Sequence, residues 1–370
     1  MTPAPLLPRY GESTLADLLP SLGAHLGVPG ARDVLGISAS QRYLVVLIDG
    51  LGAQLLAAYA SEAPFLASLV GRTITSGVPS TTATSISSLG TGLVPGRHGI
   101  AGYSFWYPQA HSVLQTLRWP AAIDGLDVQP QLTYFERLER AGVRTAAIAP
   151  SHFAGSGLTT AALRGPSFLP VPDESDRDRR VALALQATTA GDRAVGYFYE
   201  RQLDHAGHEH GLGSPAWLRE LAAADDLVAR LRSELPDDVR LVVTGDHGMV
   251  NVPQRNRVIV EDVPGLLAGV YAFAGEGRLR QLMTRSPAAV AERWRDLLGE
   301  RAWVRTRDEA VAEGWFGDVA PRLAGRFGDV LVAMADDGAV LTRKLPRELQ
   351  LVGMHGSLTT DEMTVPLLEA

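Results

Sequence analysis

Residues 241 to 250 read LVVTGDHGMV, an apolar run that ends on an acid, an imidazole and a glycine. A run of this kind fits a strand buried on both faces of a parallel sheet, because aliphatic residues without alternation leave no face for water. In open α/β sheets ligands gather beyond the carboxyl ends of the strands, so Asp246 and His247 are expected at the rim of a site. The alternative, from the decapeptide alone, is a turn in which Asp246 caps the next segment and His247 is merely exposed.

The same pattern recurs along the chain. YLVVLI (43 to 48), VRTAAIA (143 to 149), RAVGYFY (193 to 199) and RLVVTG (240 to 245) predict strands. YFERLERAG and WLRELAAADDLVARLRSEL carry apolar residues at the 3.6-residue period of a helix. Strands alternating with helices predict an α/β fold, a mostly parallel central sheet with helices on both faces. From residue 263 the character changes to strand-like GVYAFAG, a helix around AAVAERWRDLLGE, then RAWVRT and GDVLVAMA. This predicts a small inserted or edge-packed subdomain over about 263–340, within one catalytic α/β domain whose core spans about 30–262 and 341–370. PVPDESDRDRR (170 to 180) reads as a solvated loop.

Composition narrows the function. The 370 residues are 46% hydrophobic, enough for a large core, and the net charge of -7 argues against a nucleic-acid polymer or an anionic membrane as partner. Cysteine is absent, which removes disulfides, thiolate metal sites and a cysteine nucleophile. The N-terminal MTPAPLLPRYGESTLADLLPSLG is broken by prolines and acids, and no run approaches the ~18 apolar residues of a membrane span. A cytoplasmic protein is the expectation.

Metal ligands must then come from His, Asp and Glu. YLVVLIDGLG ends a strand on Asp49, with glycines that let the backbone turn sharply toward a ligand; alone, Asp49 would more commonly be a helix N-cap. DHAGHEHG places Asp204 and His208 at i and i+4, on one face of a helical turn, where they can grip one cation. His205 and His210 cannot share that face. His355, between Met354 and Gly356, would alone be as well explained by a buried histidine bonded to backbone. Together Asp49, Asp204, His208, Asp246, His247 and His355 form an N/O donor set suited to two divalent ions, zinc above all.

SGVPSTTATSISSLGTGLVPGRHGIAGY (76 to 103) predicts a loop and then a helix that starts at Thr81 or Thr82 and ends near Gly90 to Gly92. Its hydroxyls would ordinarily be caps. The start of a helix also offers free N–H groups and partial positive charge to a phosphate, and a hydroxyl beside a metal becomes a nucleophile.

VVLIDGLG, PSTTATSISSLGTGLVPGRHGI, DHAGHEHG, TGDHGM and MHGSLTTDEMTVPLL, in this order, resemble the metal and nucleophile motifs of the alkaline phosphatase superfamily, in its type I phosphodiesterase/nucleotide pyrophosphatase branch. The resemblance implies one ion held by Asp49, Asp246 and His247 beside the nucleophile, and a second held by Asp204, His208 and His355. It places the attacking hydroxyl, itself a metal ligand, on Thr82, with Thr81 and Thr84 as the slipped alternatives. Ser85 stands where an asparagine of the family would hold a phosphate oxygen.

The implied activity is hydrolysis of phosphodiester or pyrophosphate bonds in a small phosphate ester. A monoester dianion would call for one more cationic contact, and the arginines nearest Thr82 in sequence are Arg72 and Arg97. Phosphomonoesterase, phosphonate (C–P) hydrolase and a non-catalytic metal-binding protein are the alternatives. Tyr103, Phe105, Trp106, Tyr107 and Trp119 crowd the segment after the nucleophile helix. Either they form a hairpin packed into the core or a lid, or Tyr103, Phe105 and Trp106 stack a nucleobase or aryl group.

Overall fold

The computed structural model of the protein describes residues 4–370. Its centre is a 7-stranded sheet. Arg42–Ile48 lies in the middle, parallel to Val239–Gly245 on one side and Ala194–Glu200 on the other. Arg144–Pro150 and Ser167–Val171 extend the sheet in the same sense. Thr364–Glu369 runs against both Val239–Gly245 and the edge strand Val70–Thr75, so the sheet is mostly parallel with one reversed strand.

The two-residue period of the central strand divides the interior. Tyr43, Val45 and Leu47 point into one core cluster, and Leu44, Val46 and Ile48 into the other. All six are fully buried, which is why the run shows no alternation; each aliphatic side chain so buried contributes roughly 1.5–3 kcal/mol. Leu18–His25, Thr82–Thr91, Tyr134–Arg140 and Gly157–Leu163 supply apolar faces to the first cluster. Arg177–Thr188, Gln202–His210 and Pro215–Glu234 supply them to the second.

Beyond the central sheet, Val270–Glu276, Leu279–Thr284, Val330–Met334 and Ala302–Thr306 form an antiparallel four-stranded sheet. One face packs Leu282, Val304, Val330 and Val332 against Val290, Ala291, Trp294 and Leu298 of the helix Pro287–Leu298. The other face turns Leu279, Trp303, Leu331 and Ala333 into the principal core. Among the described residues no helix is long and apolar enough to cross a membrane.

The segment 170–180 is solvated over 172–179, with Glu174 half-buried, but only its middle, 172–176, is loop. Ser167–Val171 is a strand, and the Asp176 carboxylate accepts from the Arg179 N–H at 3.0 Å to open the helix Arg177–Thr188. Arg180 on that helix is buried and paired with Glu200.

Candidate active site

The strand register sets the site's floor. Ile48 is paired with both Glu200 and Gly245, so Asp49 and Asp246 leave their strands at one level, at the carboxyl end of the sheet. The turn behind Asp49 is tight: Gly50 has φ +77° and donates its N–H to Asp246 Oδ1 at 3.0 Å. A side chain on Gly245 would collide with the Leu51 carbonyl, and one on Gly248 with the Asp361 carbonyl. Asp49 caps no helix, since Ala53–Ala58 starts behind Gly52.

Asp204 and His208 share one face of the helix Gln202–His210, with His208 Nε2 3.5 Å from Asp204 Oδ2. The side chains of His205 and His210 are exposed, on other faces. His355 Nε2 lies 3.9 Å from Asp204 Oδ1, and the His355 ring stacks on that of His247 with centroids 3.5 Å apart. His247 Nε2 is 3.4 Å from Asp49 Oδ1 and 3.4 Å from Asp246 Oδ2. All six acids and imidazoles singled out in the sequence therefore meet.

Each imidazole is oriented from behind. His208 Nδ1 is 2.8 Å from the Gly353 carbonyl, His247 Nδ1 3.0 Å from that of Gly248, and His355 Nδ1 2.9 Å from that of Ser80. A carbonyl oxygen only accepts, so in neutral rings the proton sits on Nδ1 and the Nε2 lone pairs face the acids. This is the arrangement of metal-binding histidines, whose second nitrogen is held by an outer partner.

Thr82 opens the helix Thr82–Thr91, which ends on Gly92 at φ +65°. Its Oγ1 is 3.1 Å from His247 Nε2 and 3.4 Å and 3.5 Å from the two Asp49 oxygens. The neighbouring hydroxyls face elsewhere: Thr84 donates to the Ile100 carbonyl at 3.2 Å, and Thr81 lies beside Glu276. Ser85, one turn on, is fully buried with an unpartnered Oγ. Arg72 pairs with Glu369 and Arg97 with Asp318, so both are engaged away from Thr82.

The aromatic segment divides. Ser104–Tyr107 and Ser112–Gln115 form an antiparallel hairpin. Phe105 is fully buried in the principal core, whereas Trp106 is half-buried and packs edge-on to the exposed Tyr271. Tyr103 is half-buried; burial, then the charges of Glu276 and Glu348, push its hydroxyl up. The ring wall at the acids comes from elsewhere. Tyr199 donates its hydroxyl to Asp49 Oδ2, and Phe153 stands 5.9 Å from the Tyr199 ring.

Tyr199 and Glu276 are site residues that the sequence did not reveal. Tyr199 stands one residue before the end of the strand Ala194–Glu200, and nothing in GYFY separates its hydroxyl from that of Tyr197. Glu276, at the end of a strand in the second sheet, has a buried Oε1 without a partner, and burial pushes its carboxyl well above the usual range.

The electrostatics suit a cation. Burial pushes Asp49 well above the usual carboxylate range, and the charges of Asp246 and Asp204 add to it. Burial raises Asp246 as well. His355 is held well below the ordinary histidine value by burial, with His247 and His208 beside it. Asp204 Oδ1 and Asp246 Oδ2 are buried without a hydrogen-bond partner; an orphaned buried carboxylate oxygen is costly unless it meets a positive charge. Two donor groups, Asp49/Asp246/His247 and Asp204/His247/His355, each bring their ligand atoms within 4.8 Å of one another. His247 borders both, and His208 joins through Asp204.

A mostly parallel α/β sheet whose strand ends converge buried acids and imidazoles on a helix-opening hydroxyl is the arrangement of a metal-dependent hydrolase. The profile of the type I phosphodiesterase / nucleotide pyrophosphatase family matches residues 43–358, and the chain belongs to that family. Murine ectonucleotide pyrophosphatase / phosphodiesterase 5 superposes with a TM-score of 0.71 at 18% identity, covering 88% of this chain and 87% of that one. An inactive threonine-to-alanine variant of the murine protein, in complex with AMP, gives 0.69 at 18%, with the same coverage. Phosphonoacetate hydrolase from Sinorhizobium meliloti 1021, in complex with phosphonoformate, gives 0.67 at 20%, over 88% and 89% of the two chains. The catalytic subunit of GPI ethanolamine phosphate transferase 3 from Homo sapiens is 43% identical over 47 residues, which are 13% of this chain and 4% of that protein. The chain thus spans a small fraction of the curated relatives it matches.

Proposed function

We propose that the protein hydrolyses small phosphodiesters or pyrophosphates, nucleotide or aryl diesters above all, with Thr82 as nucleophile and two divalent ions, zinc first, as cofactors. The observation that carries this reading is the Thr82 hydroxyl, which alone of the hydroxyls at the helix start faces Asp49 and His247, at 3.4 Å and 3.1 Å. Asp49, Asp246, His247 and Thr82 would hold one ion, and Asp204, His208 and His355 the other. When bound, the ions supply positive charge that acidifies the hydroxyl and offsets charge on the phosphoryl and leaving oxygens.

The chain's own groups do the rest. The Thr82 oxygen, freed of its proton, attacks phosphorus in line; the bond to the leaving oxygen breaks and a phosphothreonine forms. Water then attacks phosphorus, and the Thr82 oxygen leaves and regains a proton. Free N–H groups at the start of Thr82–Thr91 would face the phosphoryl oxygens, with Ser85 one turn on and Tyr103 as a further substrate contact. The murine relative's inactive threonine-to-alanine variant supports a threonine in this role. A diester monoanion fits better than a monoester dianion, because Arg72 and Arg97 are paired elsewhere. Phosphonate cleavage is the second reading, favoured by the fold shared with phosphonoacetate hydrolase.

The test is a turnover panel of a nucleoside aryl diester, a dialkyl diester, a monoester and a phosphonate, with elemental analysis of the same protein. We expect about two ions per chain and the highest kcat/KM on the nucleoside diester. Protein that takes up no ion after zinc reloading overturns the metal reading, and a phosphonate preferred over every ester overturns the substrate.

A further inference from the structure

The buried ion pair Arg278–Glu362 lies outside the acids and imidazoles yet touches both histidine loops. Both side chains have 0% exposure. Arg278 donates from Nε to Glu362 Oε1 at 3.0 Å and from Nη2 to Oε2 at 2.7 Å. It also donates to the carbonyls of Asp336 and Gly338, which binds it to the second sheet and the turn that follows Val330–Met334.

Glu362 reaches the two loops by different atoms. Its carboxylate accepts from the Ser357 N–H at 3.0 Å and from the Thr359 hydroxyl at 2.6 Å. Ser357 in turn donates its hydroxyl to the Met334 carbonyl at 2.6 Å, and its carbonyl accepts from Ser80 Oγ at 2.6 Å. Ser80 is the residue whose carbonyl holds the His355 ring at 2.9 Å. The main-chain carbonyl of Glu362 accepts from the Gly248 N–H at 2.8 Å, and the Gly248 carbonyl holds the His247 ring at 3.0 Å. One residue thereby sets the carbonyls that orient two stacked imidazoles.

We propose that Arg278 and Glu362 are positioning residues, a clasp that fixes the spacing of His247 and His355 for the ions, which rests on the two-ion reading above. A buried pair of this kind is weak evidence for stability in itself, since a well-packed apolar pair often serves as well. Its value here lies in geometry. The carboxylate fixes the main chain two residues past His355, and the carbonyl of the same residue fixes the main chain one residue past His247.

The experiment titrates Zn2+ alone against a competing chelator, in the full chain, for wild type, Glu362→Gln, Arg278→Lys and Ser357→Ala. A control, Val332→Ala, sits in the small core of the second sheet and is matched to them by melting temperature. We expect Glu362→Gln and Arg278→Lys to weaken zinc binding by about 10–100-fold, the range for outer partners of metal ligands. Ser357→Ala should weaken it by less. The control should bind as wild type does, and excess zinc should restore kcat in the clasp variants. Wild-type protein that binds no zinc sinks the two-ion reading. Wild type that binds zinc alongside clasp variants of equal affinity, or a control that loses as much, overturns the clasp alone. If Glu362→Gln does not fold, Arg278→Lys and Ser357→Ala decide by the same criterion.

Discussion

The Tyr199 hydroxyl donates a hydrogen bond to Asp49 Oδ2 across adjacent parallel strands, where Tyr199 is the register partner of Leu47. Burial and the Asp49 charge push the Tyr199 hydroxyl well above its ordinary value, so it remains a donor at any working pH. The bond occupies one Asp49 oxygen and leaves the other 3.4 Å from Thr82 Oγ1. Tyr199→Phe should lower kcat by about 10–100-fold with a small change in KM, as expected for an outer partner of a metal ligand. Steady-state kinetics at saturating zinc checks this, and an unchanged kcat would show that the bond does not orient Asp49.

Thr82→Ala should abolish turnover by at least about 1000-fold, the scale on which covalent nucleophiles are lost. Zinc binding should fall far less, because Asp49, Asp246 and His247 come together within 4.8 Å without Thr82. Thr84→Ala should keep most activity, since its hydroxyl is spent on the Ile100 carbonyl. Activity that survives in Thr82→Ala and vanishes in Thr84→Ala would move the nucleophile.

His98 gives the fold an acid-sensitive point. Its Nδ1 accepts from the Ile100 N–H at 3.1 Å and its Nε2 lies 3.0 Å from Ser88 Oγ. Burial, and then Arg326, push its pKa from 6.5 down to about 3. Between these values the unfolded chain takes up a proton that the folded one refuses. The stability from neutral His98 is complete above the unfolded value and is lost as pH falls, by roughly 3 kcal/mol at pH 4. Urea unfolding at pH 7 and pH 4 should show a smaller acid loss in His98→Asn than in wild type; equal losses would place the sensitivity in other groups.

Gly248→Ala should damage the site more than its size suggests. The added carbon meets the Asp361 carbonyl and the Gly52 backbone, and backbone cannot swing aside as a flexible side chain does. We expect a destabilisation of about 2–4 kcal/mol, with zinc affinity lowered because His247 precedes the displaced residue. Urea unfolding of the zinc-free protein and chelator competition measure the two effects; a variant with wild-type values in both would show that the turn has slack.

The sequence carried the central sheet well because its interior strands are buried on both faces, and such runs have no competing reading in YLVVLI or RLVVTG. It hid the outer strands. Val70–Thr75 is mostly exposed at the sheet edge, and its VGRTIT lacks an apolar run. Thr364–Glu369 is broken by Pro366. The acids and histidines were legible because their motifs are local: a strand end, an i, i+4 pair, a Gly-flanked histidine. Tyr199, Glu276 and the Arg278–Glu362 clasp were not, since each works through a partner more than eighty residues away or on another strand, and no spacing in the chain records that. Phe105 and Trp106 stayed open between a packed hairpin and a stacking platform for the converse reason: aromatic density along the chain says nothing about which way rings point, and the structure puts Phe105 in the core.

Thr364–Glu369 is hydrogen-bonded on both sides, between Val239–Gly245 and Val70–Thr75, although it emerges from the ribosome after every other strand of the sheet. Until it inserts, the strand that leads to Asp246 has an open flank, and Val70–Thr75 has no partner strand. His355 and Glu362 leave the exit tunnel just before it. The six acids and imidazoles can therefore meet only once the chain has been made through His355, after every parallel strand of the sheet.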